Sequence, residues 1–218
     1  MSDPDFPVVE PPLGADEVDD SGTDSPAVSG VLLAAGTSSR FGEANKLLAT
    51  VDGEPLVRRA VAPLLAADLH EIVVVLGHEA DAVRDALADL PVEFVVNEDY
   101  ADGQATSVRT GVRAVDEAAA AALFALGDMP RVDPGTVDRL VAAYREGRGS
   151  ALAAGYDGRR GNPVLFDGRH FDALAAVAGD TGGRAVFERA ADSAVVETGD
   201  PGVRADVDTP ADLDRLRD

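Results

Sequence analysis

From Ser29 onward, short apolar runs that end in glycine or a turn alternate with longer stretches of helical periodicity. That alternation is the strongest constraint on the fold. Gly30 to Ala35, Glu71 to Gly77, Val92 to Val96 and Ala120 to Leu126 read as buried parallel strands, because both of their faces are apolar. Between and after them, Pro55 to Ala67, Glu79 to Leu90, Thr106 to Ala118 and Pro134 to Arg145 read as helices. A β-α-β-α-β-α-β-α order requires a parallel sheet covered on both faces. The predicted architecture is therefore α/β, a three-layer Rossmann-like fold with a mostly parallel central sheet.

Beyond Gly149 the rhythm loosens. Ala151 to Tyr156 and Asn162 to Phe166 read as strands around a hairpin turn at Asp157-Gly158-Arg159-Arg160. Helices at Phe171 to Ala178 and Gly183 to Ala191, a strand at Ala194 to Thr198 and a final helix from Pro210 complete the domain, expected to span residues 29–218. Residues 1–28 carry eight acidic groups, no basic ones and five prolines, and are expected to be a disordered acidic leader.

Composition narrows the function. The net charge of −21 repels nucleic acid and anionic membrane surfaces, so neither is an expected partner. The longest apolar run, Ala118 to Leu126, is too short to cross a bilayer, and no basic-then-apolar stretch opens the chain; a cytoplasmic enzyme is expected. With no cysteine and three scattered histidines, thiolate chemistry is excluded and zinc chemistry disfavoured. The charges comprise 28 Asp and 12 Glu against 18 Arg and one Lys, a halophilic composition. In such a chain the single lysine, Lys46, draws attention.

Lys46 follows the first strand in the loop Leu33-Ala34-Ala35-Gly36-Thr37-Ser38-Ser39-Arg40-Phe41-Gly42, then Asn45-Lys46-Leu47-Leu48. Small residues at the carboxyl end of a strand let backbone N–H groups approach an anion, and Arg40 and Lys46 can neutralise phosphate charge. The loop is neither a Walker A sequence nor the dinucleotide fingerprint. Asp128, in Leu126-Gly127-Asp128-Met129-Pro130, emerges from another strand end. Alone it reads as a cap or turn residue; beside a phosphate loop it reads as a magnesium ligand. In Asp206-Val207-Asp208-Thr209-Pro210, one carboxylate is expected to face the site. Asp206 is taken as the second Mg²⁺ ligand and Asp208 as the cap of the terminal helix.

These motifs resemble the molybdenum-cofactor nucleotidyltransferases, and within them the molybdopterin cytidylyltransferase branch. Gly103-Gln104-Ala105-Thr106-Ser107, Arg160-Gly161-Asn162-Pro163-Val164 and Gly179-Asp180-Thr181-Gly182-Gly183-Arg184 add to the likeness, which runs from about Gly30 to the C-terminus. The resemblance implies transfer of CMP from CTP to the terminal phosphate of molybdopterin with release of pyrophosphate. GTP-dependent guanylyl transfer, or a sugar-phosphate or other small-phosphate acceptor, stands as the alternative, and a non-catalytic cofactor-delivery protein as a further one. Leu-Ala-Ala-Gly resembles the cytidylyl branch, whereas Gly-Gln-Ala-Thr-Ser departs from its Gly-Met-Ser-Ser-Ser form.

The resemblance also implies roles. Leu33, Ala34, Ala35, Gly36, Arg40, Lys46, Gly103, Ser107 and Asp128 would bind the nucleotide, with Gly103 to Ser107 lining base and ribose. Asp128 and Asp206 would hold Mg²⁺. Asn162, Asp180 and Arg184 would lie on the acceptor side, although Arg184 has an equally good structural reading at the start of a helix. Lys46 is assigned to the α-phosphate and Arg40 to the departing pyrophosphate. Such a reaction needs positioning and charge neutralisation rather than a general base, since an ionised phosphate is already a nucleophile. A molybdoenzyme would receive the product.

Overall fold

The computed structural model describes residues 6–11, 25–38, 41–42 and 44–217. Its eight-stranded sheet comprises β1 (Val8–Val9), β2 (Val28–Ala34), β3 (Ile72–Leu76), β4 (Glu93–Val96), β5 (Ala121–Leu126), β6 (Ala151–Tyr156), β7 (Arg159–Asp167) and β8 (Ser193–Glu197). The spatial order is β1-β8-β6-β7-β5-β2-β3-β4. Every pairing is parallel except those of β7, which runs antiparallel to both β5 and β6. The described residues also form seven α-helices: α1 (Leu56–Ala66), α2 (Ala80–Leu87), α3 (Gln104–Ala114), α4 (Pro134–Arg145), α5 (Phe171–Ala175), α6 (Arg184–Arg189) and α7 (Pro210–Arg217).

Strand periodicity explains why the central strands are apolar throughout. Along β2, Leu32 faces α1, α2 and α4, whereas its neighbour Val31 faces α3, α5 and α6. Leu123 and Ala122 on β5, and Leu165 and Val164 on β7, divide in the same way. Two separate cores result, one on each side of the sheet. The α3 side is close-packed: a Cβ at Gly111 would stand 2.6 Å from Val31 Cγ1 and 3.2 Å from Val75 Cγ2. Glycine there lets the helix settle directly onto β2 and β3.

Several boundaries differ from expectation for identifiable reasons. Asp157 (φ 58°) and Gly158 (φ 69°) both take positive φ, making a two-residue hairpin turn, so Arg159 and Arg160 belong to β7 rather than to the turn. Pro55 ends a small antiparallel ladder, Thr50–Val51 with Glu54–Pro55, and α1 starts one residue later. Helix α3 opens at Gln104, two residues before the position that its apolar pattern suggested.

The acidic leader also needs correction where it is described. Val8 and Val9 pair in parallel with Val195 and Val196, adding an edge strand to the sheet. Phe6 packs edge-on against Phe187, with ring centroids 4.9 Å apart. Charge and proline content hid a Phe-Pro-Val-Val segment apolar enough to dock. Val28, placed within the leader by sequence, is fully buried at the start of β2. Residues 1–5 and 12–24 lie outside the described residues.

Candidate active site

The carboxyl ends of β2 and β5 lie side by side, Leu33 in register with Leu126, and the loops leaving them form the floor of a cleft of about 320 Å³. An open parallel sheet leaves its ligand crevice in this position. After β2, Asn45 organises the turn. Its side-chain oxygen accepts from Leu47 N–H at 3.0 Å, and its amide donates to the His78 carbonyl at 3.4 Å. The backbone N–H of Lys46 donates to Ser38 Oγ at 3.1 Å. Leu47 is anchored in the core, so the short 3₁₀ turn Lys46–Leu48 holds its first side chain toward the cleft.

There Lys46 Nζ donates to Asp128 Oδ2 at 2.6 Å and to Asp208 Oδ1 at 3.2 Å. The three side chains are only 12%, 21% and 25% exposed, respectively. Burial works against the ammonium charge, but the two carboxylates outweigh it and hold the Lys46 pKa above its ordinary value. The lysine is thus cationic at physiological pH.

Asp128 reaches the ammonium because it leaves β5 at the strand end. The C-terminal segment is then tied to the same turn, Val207 N–H donating to the Asp128 carbonyl at 2.9 Å. That bond fixes which of the two late aspartates faces the lysine. It is Asp208, not Asp206. Residues two apart on an extended segment share a face, so their spacing gave no ground for preferring Asp206. Nor does Asp208 cap α7. Thr209 and Asp212 do so reciprocally: Asp212 accepts from Thr209 N–H at 2.8 Å and donates its own N–H to Thr209 Oγ1 at 3.3 Å. Asp206 lies in a neighbouring cleft with Asn162 and Arg204. Burial first, then the negative charges of Asp208 and Asp128, push its carboxyl pKa up.

Other expected residues divide between compartments. Leu33, Ala35, Gly36, Gly103, Ser107 and Asp180 line the cleft with Lys46, Asp128 and Asp208. Ala34 does not: it is 1% exposed and belongs to the core on the α1 side. Arg40 lies outside the described residues. Asp180, expected beside the acceptor, lies instead in the main cleft, while Asn162 and Arg184 share an adjoining cavity walled by Phe124 and Phe166.

Gly103 joins these regions. Its φ of +103° suits glycine, and a side chain there would collide with the Asp180 carboxylate and stand 2.9 Å from the Gly179 carbonyl. Ala105 N–H donates to that carbonyl at 3.1 Å, so the loop before α6 rests on the start of α3. Sequence reading passed over Asn97, whose amide donates to Thr106 Oγ1 at 2.7 Å and Ser107 Oγ at 3.0 Å and braces the wall of the cleft. Ser38 and Asn45 stand in the loop quoted around Lys46, but sequence reading gave neither a role; here they hold the turn that carries the lysine.

The donor set fits a divalent cation. Asp128 Oδ1 is buried with no hydrogen-bond partner, an oxygen held ready for a ligand that the protein itself does not supply. Among the described residues no group of three or more His, Asp or Glu is arranged around a metal position. Two carboxylates, Asp128 and Asp208, line the cleft, and magnesium or manganese takes one or two carboxylates and completes its shell with substrate phosphates and water.

The chain is similar to known proteins over most of its length. The model of the MobA-like NTP transferase domain matches residues 30–195. Nicotine blue oxidoreductase of Paenarthrobacter nicotinovorans is 39% identical over 206 residues, covering 89% of this chain and 98% of its own. The crystal structure of Rv0371c from Mycobacterium tuberculosis superposes with a TM-score of 0.77 at 28% identity, over 89% of this chain and 99% of that one. The same protein is also known as a manganese complex. A nucleotidyl transferase from Methanothermobacter superposes with a TM-score of 0.75 at 25% identity, over 88% and 96% of the two chains.

Proposed function

Since the chain belongs to the MobA-like NTP transferase domain family, we propose that it transfers a nucleoside monophosphate, CMP from CTP, to the terminal phosphate of molybdopterin. The observation that carries this reading is the Lys46 ammonium held between Asp128 and Asp208 at the head of the cleft. An acceptor phosphate oxygen attacks the α-phosphorus; the new P–O bond forms as the bond to the bridging oxygen breaks, and pyrophosphate leaves with that electron pair. Lys46 offsets charge that grows on the α-phosphate and the bridging oxygen. The Asn45 and Ser38 contacts hold it in place, so that little reorganisation accompanies reaction. Arg40 receives the β- and γ-phosphates. Asp128 and Asp208 would hold Mg²⁺, which would supply further charge neutralisation.

The Leu33-Ala34-Ala35-Gly36 opening, which resembles the cytidylyl branch, supports CTP as the donor. The product would pass to a molybdoenzyme in the cytoplasm.

A redox reading takes its cue from the relative named nicotine blue oxidoreductase. Hydride transfer makes no use of a lysine held between two carboxylates, which is why nucleotidyl transfer is preferred. The deciding experiment supplies molybdopterin, Mg²⁺ and each labelled nucleoside triphosphate in turn, and follows both pyrophosphate release and label on the pterin. CTP should be used best. Nucleotide transfer with pyrophosphate release only when a sugar phosphate replaces molybdopterin, or oxidation of an added nicotinamide cofactor with no nucleotide transfer, would overturn the assignment.

A further inference from the structure

Arg160, just beyond the β6–β7 turn, places its guanidinium over the face of Phe187, with the carbon 4.5 Å from the ring centroid. Phe187 is fully buried on α6, and its ring also meets that of Phe6 at 70° with centroids 4.9 Å apart. Phe6 is held there by the sheet. Val195 N–H donates to the Pro7 carbonyl at 2.8 Å, and Val8 and Val9 continue alongside Val195 and Val196. A chain of contacts thus runs from the edge strand through two rings to one cation. The first two of its elements, Phe6 and β1, lie outside the family match, which begins at residue 30.

The cation reaches two cavities. Arg160 lines the one that contains Arg184, Phe124 and Phe166, and also the neighbouring cleft that contains Arg204; Asn162 borders both. Arg160 and Arg184 share the first cavity with Asn162, Arg184 being paired with Glu188 at 2.7 Å, and Arg160 and Arg204 share the second with Asn162 and Asp206. Among these side chains the cations outnumber the carboxylates three to two, which suits an anion in a chain of net charge −21. Stacking on a ring face fixes the plane of a guanidinium, so its donor fork stays directed along that plane.

We propose that Phe6 is a positioning residue for the acceptor: through Phe187 it orients Arg160, which binds a phosphate group of the incoming acceptor. The proposal rests on the acceptor lying on the Asn162 side of the cleft, as the proposed function requires. The N-terminal edge strand is then a working part of the binding site.

The test follows the Arg160 Nε–Hε resonance of the full chain by NMR during titration with inorganic phosphate; loss of the signal in Arg160→Lys identifies it. Phe6→Ala should shift the resonance and weaken phosphate binding about tenfold, the size expected when a stacked guanidinium loses its plane. Phe6→Tyr should restore both. Equal phosphate affinity in wild type and Phe6→Ala overturns the proposal, and this comparison needs no turnover. In CTP-to-molybdopterin assays Phe6→Ala should raise the acceptor KM about tenfold, leaving kcat and the KM for CTP nearly unchanged. A fall in kcat with the acceptor KM unaltered also overturns it. Phosphate binding as expected in a wild-type chain that transfers no nucleotide would count against the proposed function alone.

Discussion

Lys46 Nζ lies 2.6 Å from Asp128 Oδ2, joining the loop after β2 to the loop after β5 across a separation of 82 residues. Asp208 approaches the same ammonium from the C-terminal segment at 3.2 Å. Three parts of the chain therefore meet at one cation, and the geometry makes separable demands on each.

Asp128 should be the most sensitive position. Asp128→Ala removes a partner of the lysine together with the orphaned oxygen Oδ1, and is expected to lower metal-dependent turnover by roughly 10²–10⁴, judged against losses at other charge-stabilised sites. Steady-state pyrophosphate release across a Mg²⁺ titration measures it. Turnover equal to wild type would remove Asp128 from the mechanism.

Asp208 and Asp206 should separate clearly. Asp208→Asn takes one carboxylate from the ammonium and should cost about 10²-fold in turnover, whereas Asp206→Asn should stay within about threefold of wild type. The same assay decides between them, and the reverse order would return Asp206 to the metal site.

Lys46→Arg should fail to substitute. A planar fork cannot occupy the position of a compact ammonium between two carboxylates held by the Asn45 turn, and a loss of about 10²-fold or more is expected. Retained activity in this variant would mean that only positive charge is required.

Tyr144 ties stability to alkaline pH. Its hydroxyl lies 2.9 Å from Asp167 Oδ2, and burial followed by that carboxylate raises the phenol to about 12 from its ordinary 10.0. The folded state favours the protonated form, so this contribution is complete below pH 10 and is lost as pH rises toward about 12. Asp167 works in the opposite direction. Burial opposes its charge, but hydrogen bonds from the Arg169 N–H, the Tyr144 hydroxyl and the Arg169 guanidinium hold its pKa below the ordinary 3.8, a stabilisation lost as pH falls through that lowered value. Denaturant midpoints of Tyr144→Phe should decline less steeply than wild type between pH 10 and 12; parallel curves would contradict the assignment.

Gly111→Ala tests the packing of α3. The added methyl would press on Val31 and Val75, at a cost of about 1–3 kcal/mol and a lowered Tm by calorimetry, with activity per folded molecule unchanged. An unaltered Tm would show that the helix can shift outward.

The layering of this protein was legible in its residues, because strands buried on both faces must be apolar throughout while amphipathic helices repeat every three or four positions; Leu32 and Val31 carry that pattern locally. The place of Lys46 and Asp128 at neighbouring strand ends was legible too, from a single lysine in the loop after the first strand and a carboxylate at the end of another. The choice of Asp208 over Asp206 was not, because it depends on the Val207 bond to the Asp128 carbonyl, between residues remote in sequence. Nor was the docking of Phe6 on Phe187, since burial of an aromatic ring depends on what the fold brings beside it, 181 positions along the chain. Periodicity is a property of neighbours along the chain and shows in the sequence; which carboxylate meets an ammonium is set by contacts that exist only once the sheet has closed.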